Sequence, residues 1–306
     1  EPVPIRIERD GHWVLPDRPP MLESPAATIE QAKDERRRIT RSTREVHLLA
    51  HPGDETMLLI QRDPGLDASV DGANRAMVST LALDMIFPIV HGPYGEDGTL
   101  QGLLELSNIP YVGAGVVASA AGMDKAVMKE LFTASGLPIV KHEVISRRTW
   151  REDTAGVLTA LSAGMTFPLF VKPANLGSSV GITKVHSVDA LMGALQVAGQ
   201  YDRKIIIERG IDAREIELAV LGNDEPITSV SGEIVPSREF YDYKAKYSSK
   251  AKTKHIMPAP LLKKKYDEVL FLAKKAHKIL RCRGITRSDF RFFKNKFYLL
   301  EINTQP

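Results

Sequence analysis

The sequence predicts an α/β protein built from more than one domain. At 306 residues, the chain is longer than one ordinary apolar core organises, and two domains or three fit it. Residues 81–90 form its first strongly apolar run. Residues 99–104 then place Leu100, Leu103 and Leu104 on one helical face, and residues 110–112 return as a short strand. Strand, helix, strand at this spacing is the unit of a parallel α/β sheet. The composition, 43% hydrophobic and 26% charged, is that of a globular protein.

From the start of the chain, residues 4–8 alternate like a strand, Arg9-Asp10-Gly11-His12 makes a turn, and Trp13-Val14-Leu15 forms a second strand. Residues 16–40, Pro-rich and then charged, read as a surface excursion. Strands follow at 45–49 and 56–60. His91-Gly92-Pro93 stops the 81–90 run, and Asp97-Gly98-Thr99 opens the first helix. A second helix starts near Asp124, with Val127, Met128, Leu131 and Phe132 at helical spacing and Gly136 with Pro138 as its stop. Strands then dominate at 139–145, 169–172, 204–208 and 216–221, interrupted by one helix at 188–197. A basic helix at 262–280 precedes two strands around Asn295.

Composition also excludes several classes. No segment approaches the ~18–20 apolar residues of a membrane span, and Glu1-Pro2-Val3-Pro4 is no signal sequence. The lone Cys282 excludes a disulfide framework and a multi-thiolate metal site, makes a reducing cytosol the default, and reads as buried filler. A net charge of +3 is too mild to argue for nucleic acid.

Five constellations carry chemistry. In the last hairpin, Phe290 and Phe292 share one face, and Arg287, Asp289 and Arg291 share the other. With Lys294-Asn295-Lys296 as a three-residue turn, Asp289 falls opposite Glu301. Like charges placed so destabilise unless a cation intervenes. Asn303 shares the face, and oxygens of this kind suit Mg²⁺. The alternative is an exposed strand face neutralised by Arg287 and Arg291. Second, a strand ends at Lys172 and runs into Asn175-Leu176-Gly177-Ser178-Ser179-Val180-Gly181, a small, hydroxyl-bearing loop whose backbone can approach phosphate oxygens. It is not a P-loop, and a plain Gly-Ser-Ser turn between strands is the competing reading. Third, Lys125 stands at a helix start, where anions are attracted, although taken alone it reads first as a solvated lysine. Fourth, the apolar strand ending at Glu208-Arg209-Gly210-Ile211, followed by Glu215, suits a purine edge and ribose hydroxyls, or is a buried strand with capped ends. Fifth, residues 241–254 are polar, basic and aromatic. They suit a lid that brings Lys246 to a phosphate, a solvated charge run, or a nucleic-acid patch. One phosphate-bearing ligand accounts for all five.

With these residues in place, the chain resembles the D-alanine–D-alanine ligases of the ATP-grasp superfamily nearly end to end. The resemblance rests on His91-Gly-Pro-Tyr-Gly-Glu-Asp-Gly-Thr-Leu-Gln-Gly102, Met123-Asp124-Lys125, Val171-Lys172-Pro173 with Gly177-Ser-Ser-Val-Gly181, Tyr241-Asp-Tyr-Lys-Ala-Lys-Tyr247, Pro258-Ala259-Pro260 and Leu300-Glu-Ile-Asn-Thr304, in this order. It implies an ATP-grasp fold with a Rossmann-like parallel-sheet domain over 1–122, a central ATP-grasp subdomain over 123–209, and a C-terminal subdomain with the metal site over 210–306. It also implies a bacterial, cytoplasmic homodimer acting on ATP and two D-alanines, with no nucleic-acid or membrane partner. The dipeptide D-alanyl-D-alanine would form through an acyl phosphate and feed peptidoglycan synthesis.

By the same resemblance, Lys125 and Lys172 contact ATP phosphates, and Ser178 and Ser179 lie in the loop covering them. Glu208, Arg209 and Ile211 read adenine, and Glu215 binds ribose. Lys246 reaches the transferred phosphate, and Tyr247 locks the lid to Ser178 and favours an amine as second substrate. Asp289, Glu301 and Asn303 hold two Mg²⁺, with Mn²⁺ as the alternative. Arg287 stabilises the anionic intermediate, and His91 lies near the D-alanine sites. Two family segments have no match here: a first strand with a glycine-rich loop bearing a glutamate, and a Gly-Met-Thr segment with a serine after the Asn-Thr-x-Pro string. The expectation is that the chain is a piece of a longer protein.

Overall fold

The computed structural model describes residues 2–8, 11–16, 44–48, 56–62, 76–177, 180–235 and 253–306. The described residues gather into two compact units. One takes those up to 86 together with 103–111, and the other takes 87–102 and those from 112 onward.

In the first unit, β1 (Arg6–Ile7), β2 (Trp13–Val14), β3 (Arg44–Leu48), β4 (Thr56–Arg62) and β5 (Ala76–Ala82) form one sheet in that order. Alternation decides its buried face: Val46 pairs with Leu59 and Leu48 with Met57, and these side chains pack with Leu15, Trp13, Leu81 and Ile86. All four pairings are antiparallel. This corrects one detail of the expected N-terminal domain. Among the described residues, parallel pairing there is confined to the Ile86–Tyr111 bridge, with α1 (Thr99–Leu106) between its two residues as the strand–helix–strand reading expects. For β1 and β2 the reason is connection length. Five residues join β1 to β2, with Gly11 at φ +90° in the turn, whereas a parallel crossover takes about a dozen or more. The mixed α/β class stands.

The second unit opens with α2 (Val116–Met123) and α3 (Lys125–Ala134). A four-stranded antiparallel sheet follows, in the order β6-β9-β7-β8, from β6 (His142–Ser146), β7 (Leu169–Pro173), β8 (Thr183–Val185) and β9 (Lys204–Arg209). Helices α4 (Arg147–Glu152), α5 (Thr154–Gly164) and α6 (Leu191–Tyr201) accompany it, and Leu169, Val171, Leu191, Leu195, Ile205 and Ile207 form its core. A six-stranded sheet runs β13-β12-β10-β14-β15, with β11 also on β10. Its strands are β10 (Arg214–Leu221), β11 (Ile227–Thr228), β12 (Gly232–Val235), β13 (Lys254–Ile256), β14 (Ile285–Phe293) and β15 (Lys296–Asn303). Its apolar face packs with α3 and with α7 (Lys263–Ile279) through Met128, Phe132, Val269, Ala273, Phe290, Phe297 and Ile302.

Helices α2, α4 and α5 escape periodicity for physical reasons. α2 is made of small residues with no polar stripe, α4 is six residues long, and α5 buries only Leu161. α3 stops as expected: Gly136 takes φ +68°, and Leu137 N–H returns to the Phe132 carbonyl. Its buried face differs, because Lys125, Met128, Lys129 and Phe132 point inward while Val127 and Leu131 are over one-third exposed.

Two buried groups behave as their surroundings dictate. Burial pushes the Cys282 thiol up to about 12, so it is an inert core residue. His277 on α7 is fully buried. Its Nε2 lies 3.1 Å from the Gly222 carbonyl, which can only accept, so Nε2 carries the proton and Nδ1 accepts from the Thr286 hydroxyl at 2.8 Å. Burial lowers its pKa, and that outweighs the raising effect of its hydrogen bonds. The stability this neutral ring contributes is therefore present above the unfolded value of about 6.5 and is lost as pH falls through the lower folded value. Urea midpoints of the parent are expected to drop between pH 7.5 and 5.5 by more than those of His277→Gln. Equal drops would refute the assignment.

Candidate active site

The site grows from the start of α3. The Asp124 carboxylate caps the helix, accepting from Ala126 N at 3.1 Å and Val127 N at 3.3 Å, and it also pairs with Lys204. The Lys125 amide donates to the Ala174 carbonyl at 3.1 Å, which ties the helix start to the end of β7. The Lys125 ammonium donates to the Leu176 carbonyl at 2.8 Å and stands 3.5 Å from a Glu301 oxygen. The residues after β7 are held from below. Asp202 accepts from both the backbone and side-chain N–H of Asn175, at 2.8 and 2.9 Å. Burial raises the Asp202 pKa, but its bonds to Lys204 and Asn175 outweigh this and hold it below the usual range.

On β7 and β9, Phe170 opposes Glu208 and Lys172 opposes Ile206, so Lys172 and Glu208 are diagonal neighbours on one face. Their charged atoms meet at 2.6 Å. The other Glu208 oxygen lies 2.8 Å from the ammonium of Lys129, which also donates to the Leu300 carbonyl at 3.2 Å. All three side chains are buried. Burial alone raises the Glu208 carboxyl, but the two lysines prevail and hold it well below the carboxylate range. Burial pushes the Lys129 ammonium down, and Glu208 only partly restores it.

The acidic row lies on the larger sheet. β10, β14 and β15 place Glu217, Asp289 and Glu301 directly across from one another. Asp289 opposes Glu301 as the sequence reading expects, by a different route. The turn has two residues, Lys294 and Asn295, both at positive φ (45° and 62°), so the ladder begins one residue out of the expected register. A bulge at Leu300 then restores it: Phe290 faces Leu299, and Asp289 faces Glu301. Arg287 grips Asp289 with two hydrogen bonds, at 2.8 and 2.9 Å, and its Nε lies 3.5 Å from Glu217. Asn303 donates to Asp289 at 3.1 Å, and Glu215 pairs with Arg291 at 3.0 Å.

The donor set fits a hard divalent cation by chemistry, since two carboxylates and an amide share one face with like charges opposed. As described, Arg287, Asn303 and Lys125 occupy those oxygens. Among the described residues, no three His, Cys, Asp or Glu side chains converge as a metal cluster.

His91 enters from a loop shaped by backbone demands. A Cβ on Gly95 would meet the Val90 carbonyl at 2.4 Å, and Gly92, Tyr94 and Gly98 all take positive φ. Glu96 folds back to accept from Gly92 N at 2.5 Å, and Asp97 caps α1 through Thr99. Burial raises the Glu96 carboxyl. The Gly92 bond and the charges of His91 and Lys125 oppose this, while Glu301 adds to it, so these groups share one electrostatic field. Gln305 secures the loop, donating to Pro88 O at 2.7 Å and accepting from Gln101 at 3.3 Å.

The structure thus links Lys172, Glu208, Glu301 and Lys125 through Lys129 and the Leu300 carbonyl, and sets Arg287, Asp289 and Asn303 beside Glu301. Arg209 is exposed at the end of β9, Ile211 is half-buried, and Gly210 N bonds to the Pro168 carbonyl at 2.7 Å. Ser178, Ser179, Lys246 and Tyr247 lie outside the described residues. Sequence reasoning missed Lys129, Glu217, Glu96 and Asp202. Lys129 shares the helical face of Lys125, Met128 and Phe132, but a lysine at that spacing reads as solvated.

The chain has the ATP-grasp fold, as the solved structures that match it do, with lysines on a small sheet and an adjoining helix and with acids and an amide on a larger sheet. Two family models cover nearly all of it: D-ala D-ala ligase N-terminus over residues 1–114 and D-ala D-ala ligase C-terminus over residues 131–306. The chain belongs to the D-alanine–D-alanine ligase family. It is 43% identical over 305 residues to a D-alanine–D-alanine ligase of Bacillus licheniformis, covering 99% of this chain and 77% of that protein. Among solved structures, the VanG D-Ala:D-Ser ligase from Enterococcus faecalis superposes with a TM-score of 0.79 at 30% identity, covering 99% of this chain and 80% of that one. The D-alanine–D-alanine ligase from Coxiella burnetii gives 0.75 at 32%, covering 99% and 74%. Within the described residues, no helix is long and apolar enough to cross a membrane.

Proposed function

We propose that the chain joins two D-alanines into D-alanyl-D-alanine at the expense of ATP. Membership of the ligase family gives the reaction class and the use of ATP and a divalent metal. The observation that carries the reading onto these residues is the opposition of Asp289 and Glu301 beside Lys125 and Arg287. In the reaction, the carboxylate of one D-alanine takes the γ-phosphoryl group of ATP. The amine of the second attacks the resulting acyl phosphate, and phosphate leaves as the amine gives up its proton. A divalent cation, when bound, neutralises the phosphate oxygens and polarises the transferring group.

The protein's part is charge placement. Lys125 and Lys172 would hold the phosphates, and Arg287, beside Asp289, would stabilise the anionic intermediate. Glu208, Arg209 and Ile211 form the adenine edge, Glu215 holds ribose, and His91 borders the D-alanine sites. Ser178, Ser179, Lys246 and Tyr247, which lie outside the described residues, keep the phosphate-side roles that the family resemblance implies. Asp289, Glu301 and Asn303 would hold two Mg²⁺. The division into 1–122, 123–209 and 210–306 belongs to this proposal. The core around Leu169, Leu195 and Ile205 lies within the central segment and supports it. A cytoplasmic homodimer serving peptidoglycan synthesis completes the reading.

The test is ADP release with D-alanine and Mg²⁺, with the product identified by mass spectrometry. Dipeptide formation dependent on both is expected, and release indifferent to D-alanine would refute the reading. Faster product formation with D-serine or D-lactate as second substrate would reassign the acceptor.

A further inference from the structure

Lys129 stands apart from every role assigned above, yet it touches both sides of the site. It is fully buried, its ammonium is 2.8 Å from Glu208, and it donates at 3.2 Å to the carbonyl of Leu300, the residue before Glu301. Glu208 divides its two oxygens between Lys129 and Lys172, the latter at 2.6 Å. Without Lys129, the contact between Glu208 and Lys172 would be a neutral pair, and a phosphate would meet a lysine whose charge that carboxylate cancels. With Lys129, two ammonium groups share one carboxylate. A surplus positive charge then stays in a desolvated place, where it acts on an anion more strongly than in water. The second contact is mechanical. Leu300 is the extra residue of the bulge, so its carbonyl falls outside the regular β14–β15 ladder, and Lys129 supplies a donor for it.

We propose that Lys129 is a positioning residue for the nucleotide's phosphates: it shares Glu208 with Lys172 so that Lys172 keeps its attraction for phosphate, and it ties that pair to the strand carrying Glu301. It touches no reacting atom. The proposal rests on the nucleotide-binding reading of this site.

The test separates phosphate recognition from packing by comparing ADP with adenosine. Calorimetry of Lys129→Met is expected to show the ADP dissociation constant raised about tenfold with adenosine binding weakened by clearly less, since adenosine meets the adenine edge at Glu208 but carries no phosphate to sense the lost charge. Lys129→Arg, which keeps the charge and the donors, should retain the parental ratio. Should Lys129→Met fail to fold, Lys129→Gln takes its place with the same expected fall in the ratio. An unchanged ratio, or equal weakening of both ligands, would show that Lys129 only fills space and would overturn the proposal. The calorimetric result stands apart from turnover. A parent that binds ADP but shows no D-alanine-dependent ADP release would refute the assigned reaction while still deciding the role of Lys129.

Discussion

Asp289→Asn is expected to slow D-alanine-dependent turnover roughly a thousandfold while leaving the fold intact. A bound cation contributes several kcal/mol to stabilising the transferring phosphoryl group, and each ~1.4 kcal/mol is about tenfold in rate. Replacing one anionic oxygen of the site by an amide removes most of that. The fold is spared because Asp289 lies between Glu217 and Glu301, so the substitution relieves repulsion on both sides. Arg287 keeps Glu217 as a partner 3.5 Å away. The unfolding midpoint should therefore stay level or rise. ADP release measured across a Mg²⁺ titration, with Mn²⁺ binding followed by electron spin resonance, checks this. Turnover within fivefold of the parent at saturating Mg²⁺ would remove Asp289 from the metal site.

Glu208→Gln acts on stability first. It leaves the ammonium groups of Lys129 and Lys172 buried around a neutral amide, and breaking a buried pair in this way costs about 3–5 kcal/mol. The pH dependence follows from the depressed carboxyl. Its contribution is in place above the unfolded value of about 4.3 and fades as pH falls through the lower folded value. Below pH 4 the parent should lose stability faster than the variant, and at pH 7 the difference between them should be largest. Denaturant curves at pH 7 and pH 3.5 decide it. A difference that does not shrink on acidification would mean that the carboxylate charge is not what holds the lysines.

Much of the site was legible because local chemistry announced it. Asp124 before Lys125 is a capping residue before a helix, the apolar run 205–207 ends in Glu208, and the hairpin's alternation put Arg287, Asp289 and Glu301 on one face. The opposition of Asp289 and Glu301 came out through two offsetting departures, a shorter turn and an unforeseen bulge, because sequence symmetry records the sum of the two and not each one. Lys129 stayed hidden for another reason. A lysine in a helix reads as solvated, and only Glu208, 79 residues further along and on another element, makes its burial tolerable. The N-terminal strands were legible as strands, whereas the direction of their pairing depends on neighbours that alternation does not specify.

The bulge at Leu300 also sets which changes of length this hairpin tolerates. It is the one spare residue in β15. A chain lacking it would still bring its glutamate opposite Asp289, with a plain ladder in place of the bulge. A deletion between Glu301 and Asn303 would instead turn the amide toward the apolar layer. The cost of using the spare residue falls elsewhere, on Lys129, which would have to find another carbonyl. A change of length in this strand is thus felt at a helix far away in sequence.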